Sequence, residues 1–153
     1  TLKRKEGKIC PQGGQPTCKS FDKKNNLISN TANKERKEAY IIRWNYLKEN
    51  IGYYLNKMQD QTFCCDYLLL ISNCELNPKA ELLKNKHYDF TKMDITYTRE
   101  KYEERPREGK KPAEFSTTVK GIINGKNVSI GEFQFHKNSR TEVKFRFFNS
   151  LFH

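Results

Sequence analysis

Residues 115–136 read FSTTVKGIINGKNVSIGEFQFH, two alternating stretches on either side of Asn124-Gly125. An Asn-Gly pair between two such stretches is the strongest short-range hairpin signal. Both positions tolerate the positive φ of a type I′ turn, whose twist matches that of the flanking strands. The spacing predicts strands over 115–123 and 126–137. Along the second one, alternation sends Phe133 and Phe135 to one face and Glu132, Gln134 and His136 to the other. The chain is therefore built around an antiparallel sheet with one apolar and one polar face.

Working outward, residues 141–147 alternate again, Val143, Phe145 and Phe147 against Lys144 and Arg146. Upstream, residues 92–98 place Met93, Ile95 and Tyr97 opposite Asp94, Thr96 and Thr98. Between these strands, residues 99–112 are dense in both charges and carry Pro106, Gly109 and Pro112, which predicts a mobile projecting loop. Residues 33–59 repeat Tyr40, Trp44, Leu47, Ile51, Tyr54, Leu55 and Met58 at three- and four-residue steps. That is the single apolar stripe of one long helix with Asn33 as its N-cap. The apolar run at 63–71 reads as a buried strand, with a helix of that length still open, and Asp66 within it needs a partner. Residues 78–86 read as a short helix opened by Pro78 and ended by lysine. Residues 1–33, with Lys3-Arg4-Lys5 and several Gly, Pro and Asn, read as a basic, loosely ordered arm. The expected fold is α+β: a long N-terminal helix packed on a mostly antiparallel or mixed sheet, as one domain over 34–153.

The charge balance points to a class of partner. Among 153 residues, 29 Lys and Arg stand against 18 Asp and Glu, a formal charge of +11. Such a field concentrates anions around the protein. Nucleic acid, DNA or RNA, is the leading expectation, with an anionic membrane surface or an acidic protein next. The longest apolar run, 67–71, is far short of the ~20 residues a span requires, so no membrane insertion is expected. The basic start has no apolar stretch after it, unlike a signal peptide. Five cysteines, two of them adjacent at Cys64 and Cys65, do not suit a disulfide framework. Nor does the Cys10 to Cys18 gap suit zinc. A reducing, intracellular setting is expected, cytoplasmic or nuclear, and a homodimer or larger assembly is compatible with it. Phosphate-binding loops, zinc-protease pairs and nucleophile elbows are absent from the sequence.

One constellation carries possible chemistry. Glu132 and Gln134 share a face with His136, and two oxygen ligands at that spacing suit a hard divalent metal such as Mg²⁺. Asp94, opening an earlier strand, supplies the natural second carboxylate. An aspartate at the start of one strand followed by Glu-x-Gln on the next resembles the PD-(D/E)XK nuclease superfamily, which includes many restriction endonucleases. Gln134 stands where lysine is usual in that family, and Met93 precedes Asp94 where proline is usual. The resemblance implies a Mg²⁺-dependent endonuclease with Asp94 and Glu132 as metal ligands and Gln134 orienting the attacking water. Lys120, on the partner strand, or Lys144 would supply the positive charge of the missing lysine. Lys137, Arg140, Lys144 and Arg146 would bind the nucleic acid. The alternative reading is a non-catalytic DNA- or RNA-binding module, or a subunit of a nucleoprotein complex. In it, Phe133, Phe135, Phe145, Phe147 and Tyr97 stack bases and the same cations track phosphates.

Overall fold

A computed structural model describes residues 8–9, 36–63, 66–72, 79–103, 113–136 and 143–153. The Asn124-Gly125 turn forms as its chemistry requires, with φ of 52° and 77°. It joins two eleven-residue strands, here β5 (Ala113–Ile123) and β6 (Lys126–His136). On the far side of β6 lies β7 (Lys144–Phe148), and beside β5 lies β4 (Ile95–Tyr97). A two-residue strand, β1 (Lys8–Ile9), adds to the outer edge of β7. The five-stranded order is β1-β7-β6-β5-β4, and every pairing is antiparallel. The first described element is thus an edge strand of the sheet rather than the expected N-terminal helix, and the remainder of 1–33 lies outside the described residues.

The apolar stripe at 33–59 is helical but divides in two. Helix α1 (Arg36–Glu49) and helix α2 (Ile51–Thr62) meet at Asn50, whose backbone (φ −117°, ψ 24°) has left the helix. The Asn50 side-chain amide donates to the carbonyl of Tyr46, a bond that competes with helix continuation. Two residues on, Gly52 lies so close to Thr91 that a Cβ there would sit 2.6 Å from the Thr91 Cα. The stripe itself is the buried face: Tyr40, Trp44, Leu47, Tyr54, Leu55 and Met58 all belong to the core. Asn33, the expected cap, lies outside the described residues.

Helices and sheet meet through aromatic rings. Trp44 stands edge-on to Tyr97, Phe115, Phe133 and Phe135, with centroids 5.1–5.9 Å apart. Tyr54 packs on Phe133 and Phe145. Such offset and edge contacts add roughly 0.5–1.5 kcal/mol each beyond area burial. Phe115, Phe133, Phe135, Phe145 and Phe147 are completely buried. These five phenylalanines therefore serve the core and are not free to stack on bases.

Three local expectations change. Residues Lys79–Lys84 form a strand, β3, not a helix, and pair along their whole length with β2 (Tyr67–Ser72). The sequence Lys-Ala-Glu-Leu-Leu-Lys has good intrinsic helix formers, but those preferences are weak beside a ladder that buries Leu83. The run at 63–71 is likewise not a strand buried on both faces. Tyr67 and Leu69 are more than half exposed, as is Leu82 opposite Leu69. Asp66 finds its partner in His87, at 3.7 Å. The start of the charged segment at 99–112 is anchored rather than projecting: Tyr102 is buried against Tyr40, Phe115 and Phe135. The Glu100 carbonyl accepts from the Trp44 indole at 2.8 Å and from Lys48 at 2.7 Å. Residues 104–112 lie outside the described residues, as do all five cysteines. No described helix is long and apolar enough to cross a membrane.

Candidate functional site

The helices cover one face of the sheet. Alternation places Ser116, Thr118 and Lys120 of β5 on the other, with Glu132 and Gln134 of β6 and Lys144 and Arg146 of β7. The registers arrange them in ranks across three strands. Thr118, Glu132 and Arg146 form one rank, and Ser116, Gln134 and Lys144 form the next. Directly opposed side chains in such ranks have Cβ atoms ~5 Å apart, within reach of one another. Their backbone positions are held from behind, since the intervening Phe133 and Phe145 are locked into the core.

Within this face, the Gln134 side-chain amide donates to Glu132 Oε1, two residues away on the same strand. Arg146 lies directly across from Glu132, with charges of opposite sign facing each other. Lys120 is the diagonal neighbour of Glu132, one same-face position beyond Thr118. A β-bulge falls between Val119 and Lys120, where Ile130 of β6 has no counterpart on β5. It leaves both Ile130 and Gly131 buried and re-phases the strand toward its tip. Among the described residues, Lys120, Lys144 and Arg146 take part in no ion pair.

The structure brings Glu132, Gln134, Lys120, Lys144 and Arg146 onto one surface. It does not bring Asp94 to them. Ile95 pairs with Gly121, so Asp94 runs beside Ile122, four residues along β5 from Thr118, the neighbour of Glu132. Two strand spacings across and four residues along put the two acids roughly 16 Å apart. Carboxylates that share a divalent cation bind it at about 2.0–2.6 Å, so Asp94 and Glu132 do not form a common Mg²⁺ site. Among the described residues no cluster of three or more His, Cys, Asp or Glu side chains converges as a metal site. Lys137 and Arg140 lie outside the described residues, as does the side chain of His136.

The stretch that sequence reasoning passed over is the far end of the hairpin. Ile122, Asn127 and Ser129 are exposed beside Lys120. The signal was available: between Phe115 and Gly131 the chain contains two lysines and no acidic residue. Compared with known protein families, characterised proteins and solved structures, the chain matches none of them.

Proposed function

We propose that this protein binds nucleic acid through the sheet face opposite helices α1 and α2, without cleaving it. One observation carries the reading. Lys120, Lys144 and Arg146 share a single face of the sheet, unpaired with any described carboxylate, in a chain of charge +11. Serine, threonine and glutamine side chains between them add neutral donors for phosphate oxygens, the usual companions of lysine and arginine at a sugar–phosphate backbone. Metal-dependent cleavage would be the sharper form of this function. The separation of Asp94 from Glu132 argues against it, and no catalytic step is derived from the pair.

The test is equilibrium binding of a short labelled DNA duplex across about 50–200 mM salt, where each phosphate contact contributes about 0.9 to the log–log slope. The Lys144→Ala/Arg146→Ala variant is compared with Lys86→Ala/Lys92→Ala. The second pair removes the same charge from exposed positions in the segment that packs beside α2. The face variant is expected to flatten the slope by about 2 and the control to leave it nearly unchanged. Equal slopes for the two variants would mean that net charge alone drives binding, and the assigned face would be wrong.

A further inference from the structure

The end of the β5–β6 hairpin runs past the rest of the sheet. β7 pairs with β6 only over Gly131–Gln134, and β4 meets β5 only from Gly121 to Val119. Residues 122–130 therefore have no third strand paired with them among the described residues, and only Asp94, just before β4, runs beside Ile122. This arm is nonetheless anchored. Ile123 and Val128 pack against the core from its back, and Ile130 is buried. Gly121 admits the Ile130 side chain to 2.8 Å from where a Cβ would stand, and the type I′ turn closes the tip.

The front of the arm presents two cross-strand pairs to solvent, Lys120 with Ser129 and Ile122 with Asn127. Asn124 extends the polar surface at the tip, whereas Lys126, opposite Ile123, belongs to the other face of the ribbon. Ile122 is 48 % exposed amid these polar groups, and nothing in the packing of the core accounts for it. An ammonium, a hydroxyl, a carboxamide and a branched apolar group on one rigid ribbon are the side-chain types that read base edges. Lysine serves guanine O6 and N7, asparagine serves adenine N6 and N7, serine serves several edges, and an apolar branch meets the thymine methyl. The two pairs lie about 7 Å apart along the strands, or about two base-pair steps of B-DNA. A two-stranded ribbon fits the ~12 Å major groove of B-DNA, whereas the deep, narrow major groove of A-form RNA does not admit side chains.

We propose that residues 120–129 form a β-ribbon that enters the major groove of duplex DNA and reads base edges there, while Lys144 and Arg146 hold the backbone alongside. The inference rests on the nucleic-acid reading above and makes it specific. Asn127 is the principal reader, because its amide pairs in two places at once, and Ile122 reads the neighbouring position. Neither side chain packs into the core, so both can be replaced without unfolding the arm.

The experiment is selection from a randomised duplex DNA library by the full chain, by Asn127→Ala and by Ile122→Ser, with thermal unfolding of each as the folding control. The wild-type chain is expected to enrich a short motif. Asn127→Ala should lose discrimination at one position of it by roughly five- to a hundredfold, with affinity for an unselected duplex changed less than about twofold. Ile122→Ser should relax an adjacent position. If the wild-type chain binds duplex but enriches no sequence, or if Asn127→Ala enriches the same motif, the groove-reading arm is refuted and the backbone interface stands. If it binds no duplex at all, both readings fall.

Discussion

Replacing Gly131 by alanine should cost more than any other single methyl added to the hairpin. Gly131 sits at the bulge, opposite Val119 on β5 and Phe147 on β7. A Cβ built on it would lie 2.5 Å from the Arg146 carbonyl oxygen and 2.5 Å from Phe145 Cζ. The ring is held by Tyr54, Phe133 and Phe147, and the carbonyl belongs to the neighbouring strand, so neither neighbour can yield cheaply. Overpacking of this kind costs about 1–3 kcal/mol, and a displaced strand loses about 1 kcal/mol for each ladder bond broken, so the sum is about 2–4 kcal/mol. For a chain of this size, each kcal/mol lowers Tm by about 2–4 °C. Gly125→Ala is the comparison. Its Cβ would meet nothing within 4 Å, and only the φ of +77° opposes it. That left-handed conformation costs a non-glycine residue about 1–2 kcal/mol, with part offset by a less flexible unfolded chain. Urea unfolding followed by the fluorescence of Trp44, the one tryptophan and a buried one, measures both variants. Should Gly131→Ala prove as stable as the wild type, or more stable than Gly125→Ala, the close β6–β7 packing described here would be refuted. A folded Gly131→Ala should also bind DNA more weakly, because β7 carries Lys144 and Arg146.

Trp44→Phe should lower stability by about 1–3 kcal/mol by circular dichroism, combining a lost hydrogen bond to Glu100 with a small cavity among Phe133, Phe135 and Tyr97. Tyr97 has its phenol pKa raised, first by burial and then by the charge of Glu100. The folded chain therefore keeps this proton while the unfolded chain releases it near pH 10, so stability falls as pH rises above that point. Tyr97→Phe should make the decline between about pH 10 and 11.5 shallower in urea titrations; an unchanged slope would assign the decline to other groups. Asp89 has its pKa lowered, chiefly by hydrogen bonds from the Thr91 and Asn56 side chains. Its contribution is present at neutral pH and is lost as pH falls through the carboxylate range, a loss that Asp89→Ala should abolish in the same titrations.

How much of this was legible beforehand can be judged element by element. The hairpin turn, the burial of alternate phenylalanines and the aromatic helix stripe were all readable, because each depends on a local period or on the backbone freedom of two residues. The strand at Lys79–Lys84 was not, since its helix-forming side chains yield to a partner strand whose pairing no local window contains. The break at Asn50 was hidden for a similar reason: it accompanies the close approach of Thr91 to Gly52, 39 residues away in the chain. For the site, the shared face of Glu132 and Gln134 followed from alternation within a single strand. The distance from Asp94 to Glu132 did not, because it depends on where β4 begins to pair along β5.

The sequence by itself determined the sign and strength of the charge, the α+β class, the type I′ hairpin and which sheet residues turn inward. These rest on composition and on periods of two and about four residues. Only the tertiary structure decided which cations share a surface, that Asp94 stands apart from Glu132, and that the hairpin tip runs past its neighbouring strands. Those depend on inter-strand register, which is set jointly by side chains distant in the chain when they pack into one core.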